Sequence, residues 1–278
     1  MTVAPVYKQG WTMDDVHWEL FDPSKVEPSL LSAVKAAALV EYNAPDYVTY
    51  LKRVFKDSGV PVLDDLERWG REEAQHGRAL GRWAEMADPE FKLDEAFARF
   101  REGYTPAHFE GEGGSVRGSR RGEMIARCVV ESGTSSYYSA IRDATDEPVL
   151  QEIAGRIAAD EYRHYKLFYD ILGAQPEPDL GFWKKLRIAI GRVRESDDDE
   201  LAFAYYCANV PREREAITPY NRKKFSKAAS RASMTIYHRK HIQKLVQMVV
   251  KVIGADPHGW LANLASNLLW RRLQSKAA

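Results

Sequence analysis

Two helical stripes in this chain carry ionisable residues where a packed core demands apolar ones, and few folds tolerate that. Between residues 61 and 87, Val62, Leu66, Trp69, Glu73, His76, Leu80 and Trp83 recur at alternating spacings of four and three, the mark of one buried helix face. Between 148 and 172, Leu150, Ala154, Ile157, Glu161, His164, Phe168 and Ile171 repeat the pattern. Each stripe is interrupted by Glu-x-x-His. A buried unpaired carboxylate is costly or takes up a proton, so each pair requires a partner from another helix.

Two further stripes supply partners. The stretch 28–57 places Val34, Ala38, Glu41, Pro45 and Val48 on one face, and 119–144 does the same with Met124, Cys128, Glu131, Ser135 and Tyr138. Four glutamates and two histidines pointing into one bundle repel one another unless compensating charge is present, and two divalent metal ions supply it. One Glu from each of two helices plus Glu-x-x-His from each of the other two is the ligand set of carboxylate-bridged di-iron centres, because positions i and i+3 share a helix face. Oxygen and imidazole ligands suit iron, or alternatively manganese, better than copper(I). With 22 Glu and seven His in 278 residues, roughly half a Glu-x-x-His pair arises by chance. The weight therefore rests on the core placement and on the order Glu, Glu-x-x-His, Glu, Glu-x-x-His. The alternative is a set of ion-paired or surface-edge residues that bind no metal.

Periodicity is helical almost throughout, and no alternating apolar and polar run bounded by turn signals demands a strand, so the expected class is all-α. An N-terminal extension (1–27) precedes a four-helix bundle over 28–172, with a shorter helix near 92–102. A Gly- and charge-rich surface loop or crossover is expected at 103–122. After the break AQPEPD (174–179), helical stretches at 180–194, 199–208, 219–253 and 258–274 make residues 173–278 a set of additional helices packed on the bundle. Pro45 cannot donate a backbone hydrogen bond to Glu41, so the first long helix is expected to kink there.

Charge and cysteine usage exclude several functions. The 40 Lys and Arg balance the 40 Asp and Glu, which argues against a general affinity for nucleic acid. The balance conceals opposed halves: residues 221–278 carry 12 basic residues against Asp256 alone, a net charge of +11, and residues 1–220 carry −11. A solvated basic face pairing with the acidic body is the plain reading; docking of an acidic partner, or membrane-surface contact through LANLASNLLWRRLQ, is the functional one. No transmembrane segment or secretory leader is legible, and a cytoplasmic location is expected. Cys128 and Cys207 stand alone, which excludes CxxC zinc or rubredoxin-type sites and argues against a disulfide framework. His238 and His241 lie in YHRKH without an evident carboxylate and read as a solvated face, and GEGGSVRG lacks the setting of a nucleotide loop.

These residues resemble a family, the soluble acyl-carrier-protein desaturases of the ferritin-like superfamily. WGREEAQHG (69–77) is similar to its tryptophan-bearing EExxHG segment and IAADEYRHY (157–165) to its ADExRH segment. EYNAPDY (41–47) has the proline four residues after the ligand glutamate, ESGT (131–134) matches E-x-x-T, and GWTMDD (10–15) resembles the tryptophan-bearing stretch before the first bundle helix. The likeness covers about 28–172; the loop at 103–122 departs from the family, and residues 180–278 have no match in it.

The resemblance implies a ferritin-like bundle in which Glu73 and Glu161 bridge two irons, Glu41 and Glu131 are terminal ligands, and His76 and His164 bind one iron each. It implies that Asp160 fixes a ligand histidine, in all expectation His76, from outside the ligand set, and that the Thr134 hydroxyl relays protons; a solvent-facing Asp and a Thr bonded back to its own helix are the respective alternatives. The expected activity is oxidation of a long-chain acyl substrate by O2, above all desaturation, with the acyl group borne on acyl carrier protein and electrons from an external ferredoxin or reductase. A homodimer is compatible with it. An aldehyde-deformylating or hydroxylating oxygenase would show the same ligands, and iron storage or peroxide protection in the ferritin or rubrerythrin manner is the rival of a different class. An acyl substrate further requires an apolar cavity near Glu131 and Thr134.

Overall fold

The computed structural model describes residues 10–104, 114–195 and 199–277. Among these the chain is an all-α helical bundle without strands. Its helices are α1 (Pro28–Tyr42), α2 (Ala44–Phe55), α3 (Leu63–Ala87), α4 (Leu93–Gly103), α5 (Arg120–Ala144), α6 (Pro148–Ala174), α7 (Phe182–Glu195), α8 (Asp199–Asn209), α9 (Arg222–Met234), α10 (Arg239–Val252) and α11 (Trp260–Ala277). Residues 105–113, which include much of the expected loop 103–122 and the start of GEGGSVRG, lie outside the described residues, as does the start of the chain over 1–9.

The stretch read as one helix over 28–57 is two helices. Asn43 sits between them at φ −83° and ψ 0°, its N–H turned back to Val40 O at 3.2 Å, and Pro45 occupies the first turn of α2. The missing N–H of Pro45 makes the break, directly after Glu41. The stretch 219–253 is likewise split, with His238 capping the start of α10.

Two apolar clusters fill the bundle. One gathers Val34 and Ala38 of α1, Leu80 and Trp83 of α3, Tyr138 and Ile141 of α5, and Ile153 and Ile157 of α6. The other gathers Leu51 and Val54 of α2, Leu66 and Trp69 of α3, Met124 and Cys128 of α5, and Phe168 and Ile171 of α6. Along each of the four legs of the bundle (α1 with α2, α3, α5 and α6), the Glu or Glu-x-x-His falls between its residues of the first cluster and its residues of the second. The order of the clusters also gives direction: α1 continued by α2, and α6, run from first to second, α3 and α5 from second to first. The bundle is thus two antiparallel pairs, α1 with α3 and α5 with α6, joined through α4 and the long connection after it.

The flanking elements share this core. Trp11 and Val16 of the N-terminal segment, Ala202, Tyr206 and Cys207 of α8, and Phe225 of α9 belong to the first cluster, while Ala189 of α7 and Met248 of α10 belong to the second. The start of α6 shows how a buried charge is tolerated here. Glu147, fully buried, accepts from Val149 N, Leu150 N, Asp22 N and the indole Nε1 of Trp83, the last at 2.7 Å. Four N–H donors replace the water that the carboxylate loses.

His241 departs from the solvated reading. It is buried, its Nε2 lies 3.0 Å from Asp143 Oδ2 of α5, and its Nδ1 accepts from His238 N. The partner lies 98 residues away in sequence, brought near by the packing of α10 on α5. Part of the basic C-terminal charge does meet the acidic body, Lys240 with Asp143 and Arg222 with Asp199. Among the described residues no helix is long and apolar enough to cross a membrane.

Candidate metal centre

All six expected ligands meet in the polar layer between the two apolar clusters, each at most 7% exposed. Their ligand atoms form two groups, Glu41, Glu73, His76 and Glu161, and Glu73, Glu131, Glu161 and His164, within each of which one ligand atom from every residue lies within 4.8 Å of the others. Glu73 and Glu161 belong to both groups. These buried groups can hold metal ions.

The imidazoles are oriented from behind by carboxylates. His76 Nε2 lies 3.0 Å from Asp160 Oδ2, and His164 Nε2 lies 2.8 Å from Glu72 Oε2. With each Nε2–H donated outward, Nδ1 is the nitrogen that faces inward. His76 Nδ1 is 3.2 Å from Glu161 Oε1 and 3.8 Å from Glu73 Oε2; His164 Nδ1 is 3.0 Å from Glu73 Oε1 and 3.8 Å from Glu131 Oε2. Both Nδ1 atoms, with Oε1 of Glu131 and of Glu161, are buried and make no aligned hydrogen bond among the described residues. Two nitrogens and two oxygens left without an aligned hydrogen bond in one buried layer fit a metal cluster, since natural interiors seldom leave such atoms orphaned.

Asp160 is therefore where the sequence placed it, and its surroundings go further. Trp11 Nε1 donates to the same Oδ2 at 2.7 Å, the Trp11 ring stacks on His76 at 6.1 Å, and Arg163 pairs with the carboxylate's other oxygen. Glu72 escaped the sequence reading because it lies off the buried stripe. Its signal was nonetheless present: Glu72 precedes Glu73 as Asp160 precedes Glu161, so each Glu-x-x-His helix offers the residue before its glutamate to the histidine of the other helix.

Thr134 is bonded back to its own helix and also reaches a carboxylate of the polar layer. Its Oγ1 donates to Glu161 Oε2 and also lies 3.3 Å from the carbonyl oxygens of Val130 and Glu131. Tyr138, one turn further on, donates its hydroxyl to Glu41 Oε1 at 2.5 Å, linking α5 to α1. Beside Thr134 the helix surface is open: a Cβ on Gly133 would meet no described atom within 4 Å.

Electrostatics reflect the crowding. Burial, and then the neighbouring charges of Glu73 and Glu161, push Glu41 and Glu131 well above the usual carboxylate range. Burial also opposes charging of the histidines, but the close carboxylates of Glu161 and Glu73 raise His76 to about 10, and those of Glu72 and Glu73 raise His164 to about 9. Binding of divalent cations by these groups would displace such protons.

Two concavities bear on ligand access. One, of about 80 Å³, lies between α2, α5 and α7 and is lined chiefly by polar residues; the other is a wide groove along the outer face of α7. Neither is the apolar cavity expected beside Glu131 and Thr134. No model of a known protein family matches the chain. A search of curated proteins by sequence finds no match either.

Proposed function

We propose that the protein is a di-iron oxidase of the ferritin-like kind that uses O2 to oxidise a long-chain acyl substrate, with desaturation as the reaction. The observation that carries the reading is the pair of buried four-residue groups sharing Glu73 and Glu161, the arrangement that two carboxylate-bridged ions require. Glu73 and Glu161 are then the bridges, Glu41 and Glu131 terminal ligands, and His76 and His164 one nitrogen ligand each. Bound iron would supply the electrons and the open coordination positions for O2 activation that no side chain here provides.

The chain's own residues do the rest. Asp160 and Glu72 hold the outer imidazole N–H groups, fixing the tautomer that presents Nδ1 and making each nitrogen a better donor. Thr134 holds a proton at Oγ1 against Glu161 Oε2, poised to move it into or out of the oxygen chemistry. The apolar clusters above and below the polar layer exclude water from the reacting centre. With only Cys128 and Cys207, the chain has no CxxC electron carrier, so electrons come from a separate ferredoxin or reductase.

The test is oxygen consumption by the reduced, iron-loaded protein with an added electron donor, across acyl carrier protein thioesters, acyl-CoA, free fatty acids and aldehydes of several lengths. Stimulation by acyl thioesters supports the proposal. Reaction with aldehydes alone overturns the desaturase assignment, and rejection of all four with rapid mineralisation of excess iron replaces it with storage.

A further inference from the structure

Arg127 presents a problem that the metal centre does not solve. It lies on α5 one turn before Glu131, is 8% exposed, and makes no hydrogen bond or ion pair among the described residues. Its guanidinium rests over the ring of Tyr47, 5.2 Å from the centroid, a contact that recovers only part of the hydration a buried cation gives up. An arginine left this way is rare, because a buried charge is normally paired or hydrogen-bonded.

The arginine lines the cavity of about 80 Å³ between α2, α5 and α7. That space exceeds what a single water needs and accommodates a small tetrahedral or planar anion. The acids in its wall are already engaged. Glu195 forms a two-pronged pair with Arg117, both bonds at 2.5 Å, and Glu123 accepts the hydroxyls of Tyr50 and Ser115 at 2.7 Å each. Arg192 of α7, which has an interaction of its own, also lines the cavity. The cavity thus combines a buried guanidinium that makes no hydrogen bond or ion pair among the described residues with carboxylates that have such partners.

The geometry points to a binding site for a small oxyanion, a phosphate or carboxylate group, held by the planar fork of Arg127 with Arg192 beside it. The guanidinium fork matches both anions in a two-pronged manner, which a lysine could not reproduce. Since Arg127 precedes Glu131 by four residues, their Cα atoms are about 6 Å apart along the helix. An anion bound there sits in the wall next to the carboxylate layer. The inference does not depend on the metal reading or on the reaction assigned to it.

Equilibrium binding of inorganic phosphate, and separately of acetate, to the full chain at fixed ionic strength tests the site, with metal content measured on the same samples. Saturable binding of at least one of the two is expected; the tighter of them identifies the class. Arg127→Gln should weaken it by about tenfold or more at unchanged metal content, and Arg127→Lys should restore it only in part. Arg192→Gln, further from the core, should weaken it less and keeps the test informative if Arg127→Gln does not fold. Absence of saturable binding to the unmodified protein overturns the inference. So does binding that survives both substitutions, which would place the anion elsewhere, and so does loss of metal from Arg127→Gln in a protein that binds no anion, which would make Arg127 the counter-charge of Glu131.

Discussion

Gly77 is where the bundle's packing and the candidate metal centre can be perturbed together by one methyl group. It follows His76 on α3, and the facing residue of α1, Tyr42, follows Glu41. A Cβ on Gly77 would lie 2.6 Å from Tyr42 N and 2.9 Å from Ala38 O, against an ordinary contact of at least 3.4 Å. These are backbone atoms of a helix and cannot rotate away, so α1 and α3 must part by about 0.8 Å. Metal ligation tolerates errors of only about 0.2 Å, so Glu41 and His76 would no longer serve the same ion well. Overpacking of this kind costs about 1–3 kcal/mol, which outweighs the gain of about 0.5–1 kcal/mol for replacing a helical glycine by alanine. Gly133→Ala is the matched control: its methyl enters open space, so only the gain applies. Thermal unfolding and iron content after reconstitution should show Gly77→Ala melting several degrees lower, at roughly 2–4 °C per kcal/mol, with metal lost. Gly133→Ala should melt slightly higher with full metal. A Gly77→Ala protein with native melting temperature and full iron content would refute the reasoning.

Thr134→Val should keep its iron while product formation per O2 consumed falls and turnover slows by about tenfold or more, because a hydroxyl is removed with little change of volume; unaltered rate and coupling would leave Thr134 as packing. Asp143 joins α5 to α10, and although burial pushes its carboxyl up, Lys240, His241 and Arg142 hold it well below the usual range. A carboxyl depressed in the folded state contributes stability that is present above its unfolded value of about 3.8 and is lost as pH falls through the folded one. Asp143→Asn should therefore melt lower than the unmodified protein at about pH 5 to 7, with the difference shrinking on further acidification; a difference that vanishes on raising the pH instead would reverse the sign.

Much of the centre was legible because a helix imposes its own ruler. Once Glu73 and His76 fell on the stripe of Leu66, Trp69, Leu80 and Trp83, burial of that stripe carried them into the interior, and the same held for Glu161 and His164. Pro45 announced the break after Glu41 because the loss of a backbone N–H acts locally. The residues that escaped depend on contacts between helices. Glu72 lies beside the stripe rather than on it, and its place behind His164 follows from α3 facing α6 across the bundle. His241 reads as solvated in a basic run until α10 is laid against α5 and Asp143 comes within reach. Arg127, a charged residue one turn from a ligand, reads as ordinary helix surface until α2 and α7 close over it.

The central claim, that the polar layer is a two-metal centre bridged by Glu73 and Glu161, is tested most directly by counting metal. Anaerobic reconstitution with ferrous iron followed by metal analysis should give about two ions per chain, and Glu161→Ala or Glu73→Ala, checked for retained helicity, should remove most of both, because each glutamate belongs to both groups. An unmodified protein that holds at most one ion per chain, or a Glu161→Ala variant that still holds two, would contradict the account.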